Sequence, residues 1–142
     1  NSSSQVDGLR ILAGLTPSLD LVNAGVVKSN ATANLGAFGG SSTITNLMVL
    51  GNSITVTGAP NQFVNIPGIL NLTINRQTVN NGVLRVDALH VELLNVVNAG
   101  TVSVATSYAG IVPEPSSLCL AALAMPGIAA AFLRRRPRKS DF

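Results

Sequence analysis

The sequence predicts an all-β body, arranged as an antiparallel β-sandwich, followed by a short C-terminal transmembrane helix. Short runs of Val, Ile, Leu and Thr separated by Gly, Asn and Pro fill residues 1–111, with no stretch of helical periodicity among them. Fourteen asparagines, all before residue 112, and thirteen glycines supply turn formers at frequent intervals. One long apolar run at 118–133, without charge and rich in Leu and Ala, stands apart from this texture. The chain therefore divides into an all-β extracellular domain at 1–111, a Pro-rich linker at 112–117, a membrane segment at 118–133 and a basic cytoplasmic tail at 134–142. About 110 residues suffice for one domain with a modest core. A stacked β-solenoid is the alternative architecture for the body, although no strict repeat period is visible.

Within the body, alternation and turn chemistry place the elements. Residues 41–50 and 53–57 flank Gly51-Asn52, a two-residue connection suited to a tight hairpin. Leu70, Leu72 and Ile74 alternate with Asn71, Thr73 and Asn75, as in a strand with one buried face. The chain then turns at Asn80-Asn81-Gly82 and returns antiparallel through residues 83–94. Strict alternation there would put Val83, Arg85 and Asp87 on one face with Leu89, Val91 and Leu93, which mixes charge into an apolar face. A bulge near Ala88 reconciles the two halves. Residues 101–108 supply a last strand, and Greek-key-like connections are expected between the sheets.

The C-terminal thirty residues have three parts. In Val112-Pro113-Glu114-Pro115-Ser116, the two prolines flanking Glu114 fix φ and remove amide donors, so the stretch stays extended and accessible. The run that opens at Leu118 and closes at Leu133 would form a helix of roughly 24 Å at about 1.5 Å per residue. That is short of the ~30 Å hydrocarbon core. Pro126-Gly127 interrupts it, so the segment can insert but makes a mediocre permanent anchor. Arg134, Arg135, Arg136, Arg138 and Lys139 then form a basic stop that belongs on the cytoplasmic side, which leaves the body outside. An ordinary C-terminal membrane anchor is the plainer alternative.

The formal charge of +3 is wholly in this tail. The body balances Arg10, Lys28, Arg76 and Arg85 against Asp7, Asp20, Asp87 and Glu92. A neutral body without a basic, aromatic-interleaved patch argues against nucleic-acid binding. The single cysteine, Cys119, lies in the apolar run, so no disulfide can form within the body. Export would require a signal peptide ahead of Asn1.

Catalytic and metal chemistry find little support. His90 is the sole histidine, so any Ser-His-Asp arrangement would depend on it, and no Gly-x-Ser-x-Gly pattern is present. With regular pairing, Glu92 shares the face of His90 and Asp87 does not. Four scattered carboxylates make no calcium loop, and no Cys/His cluster exists, so neither a metal nor a cofactor is expected. Asn61, Gln62 and Phe63 could pair an aromatic platform with two amides for a glycan. Core packing is the simpler expectation for Phe63.

Taken in order, Val112-Pro113-Glu114-Pro115-Ser116, the apolar run and the arginine cluster resemble the PEP-CTERM protein-sorting signal. The resemblance implies recognition of Pro113, Glu114 and Pro115 by an exosortase, a membrane-embedded transpeptidase, with transient inner-membrane anchoring and then delivery to the cell surface or beyond. The usual setting of such proteins implies exopolysaccharide as a neighbour. The body, over roughly residues 20–111, resembles the choice-of-anchor P family, most specifically in Gly58-Ala59-Pro60-Asn61-Gln62 and Ile66-Pro67-Gly68. With no catalytic constellation in the body, the resemblances are read as an exported, non-enzymatic structural or adhesive protein of the surface or extracellular matrix, with a lectin-like polysaccharide-binding module as the alternative.

Overall fold

The structure, a computed structural model, describes residues 1–12, 20–34, 37–94 and 100–111. The sorting motif at 112–117, the apolar run at 118–133 and the basic tail lie outside the described residues. No helix among the described residues is long and apolar enough to cross a membrane.

The described residues form nine strands: β1 (Ser2–Leu12), β2 (Asp20–Asn34), β3 (Ala37–Thr45), β4 (Met48–Val49), β5 (Asn52–Ser53), β6 (Gln62–Ile66), β7 (Leu70–Asn80), β8 (Val83–Leu93) and β9 (Thr101–Gly110). Sheet A runs β1-β2-β4-β5 with β3 also on β2, and sheet B runs β6-β7-β8-β9, every pair antiparallel. The all-β, antiparallel expectation holds. The connections differ from it, because each sheet is built from consecutive strands and only the β5–β6 segment passes between sheets. Greek-key crossings are absent among the described residues, and hairpin ladders replace the stacked coils of a solenoid.

One core joins the sheets face to face. Val22, Ala24, Val27, Leu47 and Val49 of sheet A and its β3–β4 link meet Leu70, Leu72, Ile74, Leu89 and Val91 of sheet B, all at most 2% exposed. A smaller cluster of Ala31, Leu84, Val86 and Ala109, with Ala33 and Phe38 against it, continues the interior.

The phase conflict read at Ala88 is real, and its solution spans the sheet. Leu84 and Val86 point inward before it, and Leu89 and Val91 after it. No register slip accompanies the change, since Ile74↔Leu89 and Arg76↔Asp87 keep one register on β7, as do Asp87↔Thr106 and Leu89↔Val104 on β9. Opposite Ala88, Asn75 and Ala105 both take the left-handed conformation, with φ of 53° and 51°. All three strands thus reverse their facing together, where a bulge in one strand would have bent it alone.

Sheet A repeats the device. Gly8 (φ 65°) and Asn46 (φ 52°) flank Gly25 on β2, and the inward series passes from Val22 and Ala24 to Val27 and Ala31. A Cβ on Gly25 would lie 2.9 Å from the Thr45 hydroxyl, which itself accepts the Val26 amide, so a side chain there would have to displace that hydroxyl. Residues 41–50 accordingly appear as β3 and β4, in one register on β2 but parted at Asn46-Leu47.

Two connections need adjustment. Met48↔Ser53 and Val49↔Asn52 pair across a turn at Leu50-Gly51, one residue earlier than Gly51-Asn52, with φ of 49° and 79°. Positive φ at both central residues is what a type I′ hairpin turn requires. Asn81-Gly82 makes the same kind of turn between β7 and β8, as the sequence indicates. Residues 54–57 do not pair as a strand. The Gln62 side chain instead accepts from the Thr57 amide and hydroxyl and donates to the Thr55 carbonyl, taking the place of a neighbouring strand.

Candidate functional site

The outer face of sheet B gathers the titratable side chains of the body's second half. Because the sheet reverses facing at Ala88, Asp87 shares this face with His90, and the regular-strand expectation that separated them fails for that reason. Register places Arg76 and Thr106 on either side of Asp87, Thr73 and Ser103 on either side of His90, and Thr78 and Tyr108 on either side of Arg85.

Asp87 is the anchor. Its side chain is 2% exposed; Oδ1 accepts from Arg85 Nε at 3.0 Å and from the Thr106 hydroxyl at 2.6 Å. Arg76 Nη1 stands 4.0 Å from Oδ2. Both guanidiniums cover the carboxylate and remain partly open, at 37% and 39% side-chain exposure. The hydrogen bond to Asp87 raises the Arg85 guanidinium further above its ordinary value. The Arg85 guanidinium carbon lies 5.8 Å from the centroid of the Tyr108 ring.

His90 joins this cluster through Arg76, whose Nη1 lies 3.0 Å from Nε2, while Nδ1 is 2.9 Å from the Ser103 hydroxyl. A guanidinium only donates, so Nε2 accepts and the neutral ring carries its proton on Nδ1. That tautomer donates to Ser103 Oγ, which also accepts from Arg85 Nη2 at 3.3 Å. Burial, and next the Arg76 cation, push the His90 imidazole below its ordinary value. A base that must take the serine proton would need the opposite arrangement. Glu92 lies at the far end of the face and accepts from Asn71, which itself accepts from Asn65.

The glycan candidates separate. Asn61, at φ 56°, accepts the Gln77 amide through Oδ1. The amide ends of Gln62 are both engaged by residues 55–57. Phe63 is 61% exposed, which overturns its expected place in the core. It points outward because β6 alternates, with Gln62, Val64 and Ile66 turned in. Phe63 therefore offers a platform, but Gln62 does not share its face. Among the described residues, no group of three or more His, Cys, Asp or Glu side chains converges as metal ligands. The outer-face role of Arg76, Arg85, Ser103 and Thr106 escaped the sequence reading; the phase conflict at Ala88 was the signal that could have found it.

No curated protein and no solved structure matches the chain. Residues 112–139 match the PEP-CTERM protein-sorting motif, and a motif of this kind implies export, membrane transit and sorting by an exosortase.

Proposed function

We infer that residues 1–111 are a non-enzymatic structural or adhesive domain of the cell surface or extracellular matrix, delivered by exosortase processing of the tail. The observation that carries this reading is the sequence match to the sorting motif at 112–139, after an all-β body. Charge balance and the absence of cysteine before residue 112 support it, since the body left after processing is neutral and free of thiols. In this reading Pro113, Glu114 and Pro115 are the recognition residues, 118–133 holds the precursor in the membrane, and the basic run retains the C-terminus inside. The proton held on His90 Nδ1 argues against a serine nucleophile activated by that ring, in keeping with a non-enzymatic domain. The resemblance of residues 20–111 to the choice-of-anchor P family fits a surface module combined with one of several anchoring tails.

Intact-mass measurement on protein recovered from a host with its exosortase tests the reading. The mature form should lack the basic tail, and Glu114→Ala should accumulate as membrane-held precursor. Full-length, membrane-bound wild-type protein in that host would establish a permanent anchor instead. A second reading, a lectin-like module for polysaccharide, is favoured by the exposure of Phe63 and Tyr108 on the domain surface.

A further inference from the structure

We propose that the Arg76, Arg85 and Tyr108 corner of the outer face of sheet B binds a sugar ring carrying a carboxylate. The inference rests on the second reading above and names its ligand class and place. Two of the body's four basic residues meet there over a single buried carboxylate, which leaves one net positive charge at the surface. Asp87 holds Arg85 through Nε and so leaves Nη1 free, and Arg76 spends only Nη1 on His90. Guanidinium N–H groups already oriented by a buried partner suit the planar oxygens of a carboxylate and lose little entropy on binding. Tyr108 is 53% exposed beside Arg85, so a pyranose can lay its C–H face on the ring while its carboxylate reaches the guanidiniums. Thr78, across β8 from Tyr108, adds a hydroxyl on the same row. Glu92 is at the opposite end of the face, tied to Asn71, and does not oppose an anion here. A single net charge beside one aromatic ring fits one acid group per sugar. A lipid surface, by contrast, is usually recognised by clusters of roughly four to eight cations.

Calorimetric titration of the full 142-residue chain in detergent micelles tests this, with trigalacturonate as probe and maltotriose and tetraglutamate as comparators. Trigalacturonate should bind saturably and more tightly than either comparator. Arg85→Gln and Tyr108→Ala should each weaken it about tenfold or more, while Lys28→Gln on sheet A changes it less than about twofold. Tyr108 lies outside the Asp87 hydrogen bonds, so its variant decides the matter if Arg85→Gln unfolds, as followed by circular dichroism. Equal binding of tetraglutamate overturns sugar recognition, and equal losses from Lys28→Gln reduce it to diffuse charge. Absence of saturable trigalacturonate binding, or binding indifferent to Tyr108→Ala, also overturns it. Maltotriose binding lost in Phe63→Ala, together with no saturable trigalacturonate binding, would keep the lectin reading and sink this site.

Discussion

Replacing Asp87 with alanine probes the keystone of the outer face. The carboxylate accepts two hydrogen bonds through Oδ1, from Arg85 Nε at 3.0 Å and the Thr106 hydroxyl at 2.6 Å. A hydrogen bond to a charged group contributes about 1.5–3 kcal/mol when it is fully sheltered. Arg85 is 39% exposed, so water replaces most of what it loses and its share falls to about 0–1 kcal/mol. The part-buried Thr106 hydroxyl loses a charged acceptor and keeps most of its value, about 1.5–2 kcal/mol. Asp87→Ala is therefore expected to cost about 2 kcal/mol after the relief of carboxylate desolvation offsets part of the loss. For a domain of this size that is about 8 °C in Tm. Asp87→Asn, which keeps an acceptor for Thr106, should cost about half as much. Urea unfolding of the single variants and of Asp87→Ala with Thr106→Val gives the coupling, expected near 1 kcal/mol. A loss under about 0.5 kcal/mol, or a gain, would mean that desolvation of the carboxylate outweighs its partners and that it does not organise this face.

Three further outcomes follow from other sites. Ser29 is fully buried with an unpartnered hydroxyl, so Ser29→Ala should raise stability by about 1 kcal/mol; a fall would show that the hydroxyl is satisfied in solution. Gly25→Ala should destabilise by about 1–3 kcal/mol as its methyl meets the Thr45 hydroxyl, and Thr45→Ala should recover part of that in the double variant. The folded His90 imidazole titrates below its unfolded value, so its contribution is complete above the ordinary histidine range and is lost as pH falls through that range toward the folded value. Tm should decline over that interval in wild type and less so in His90→Gln; parallel curves would remove the role of burial and Arg76.

Local chemistry made some of these elements legible. Leu70, Leu72 and Ile74 sit inward, Asn81-Gly82 turns the chain, and the last strand spans Thr101–Gly110 against the expected 101–108. β1 and β2 gave no such signal. Their inward residues include Ser29 and Ala31, and the passage at Gly8 and Gly25 breaks the period of two that alternation depends on. The turn at Leu50-Gly51 was displaced by one residue because a leucine at positive φ is not a sequence signal for a hairpin. Core packing is the simpler expectation for Phe63, whereas Val64 and Ile66 face inward along β6 and leave it outward. Asn61 and Gln62 carry the right groups for a glycan, but which groups are already spent on residues 55–57 and Gln77 is a tertiary fact.

The reversal at Asn75, Ala88 and Ala105 links the core to the outer face. A left-handed residue bearing a Cβ costs roughly 1–2 kcal/mol, less for asparagine, so holding both Asn75 and Ala105 there is a continuing penalty. In regular strands the inward faces of Leu89 and Val91 would continue as Asp87 and Arg85, burying charge against sheet A. Reversal instead continues the interior with Val86 and Leu84, and turns Asp87, Arg85 and Arg76 outward beside His90. Restoring the burial of two large aliphatic side chains contributes about 1.5–3 kcal/mol each, enough to exceed the backbone penalty. The arrangement that closes the hydrophobic core is therefore the one that assembles the charged outer face, and neither can be altered at Ala88 without the other.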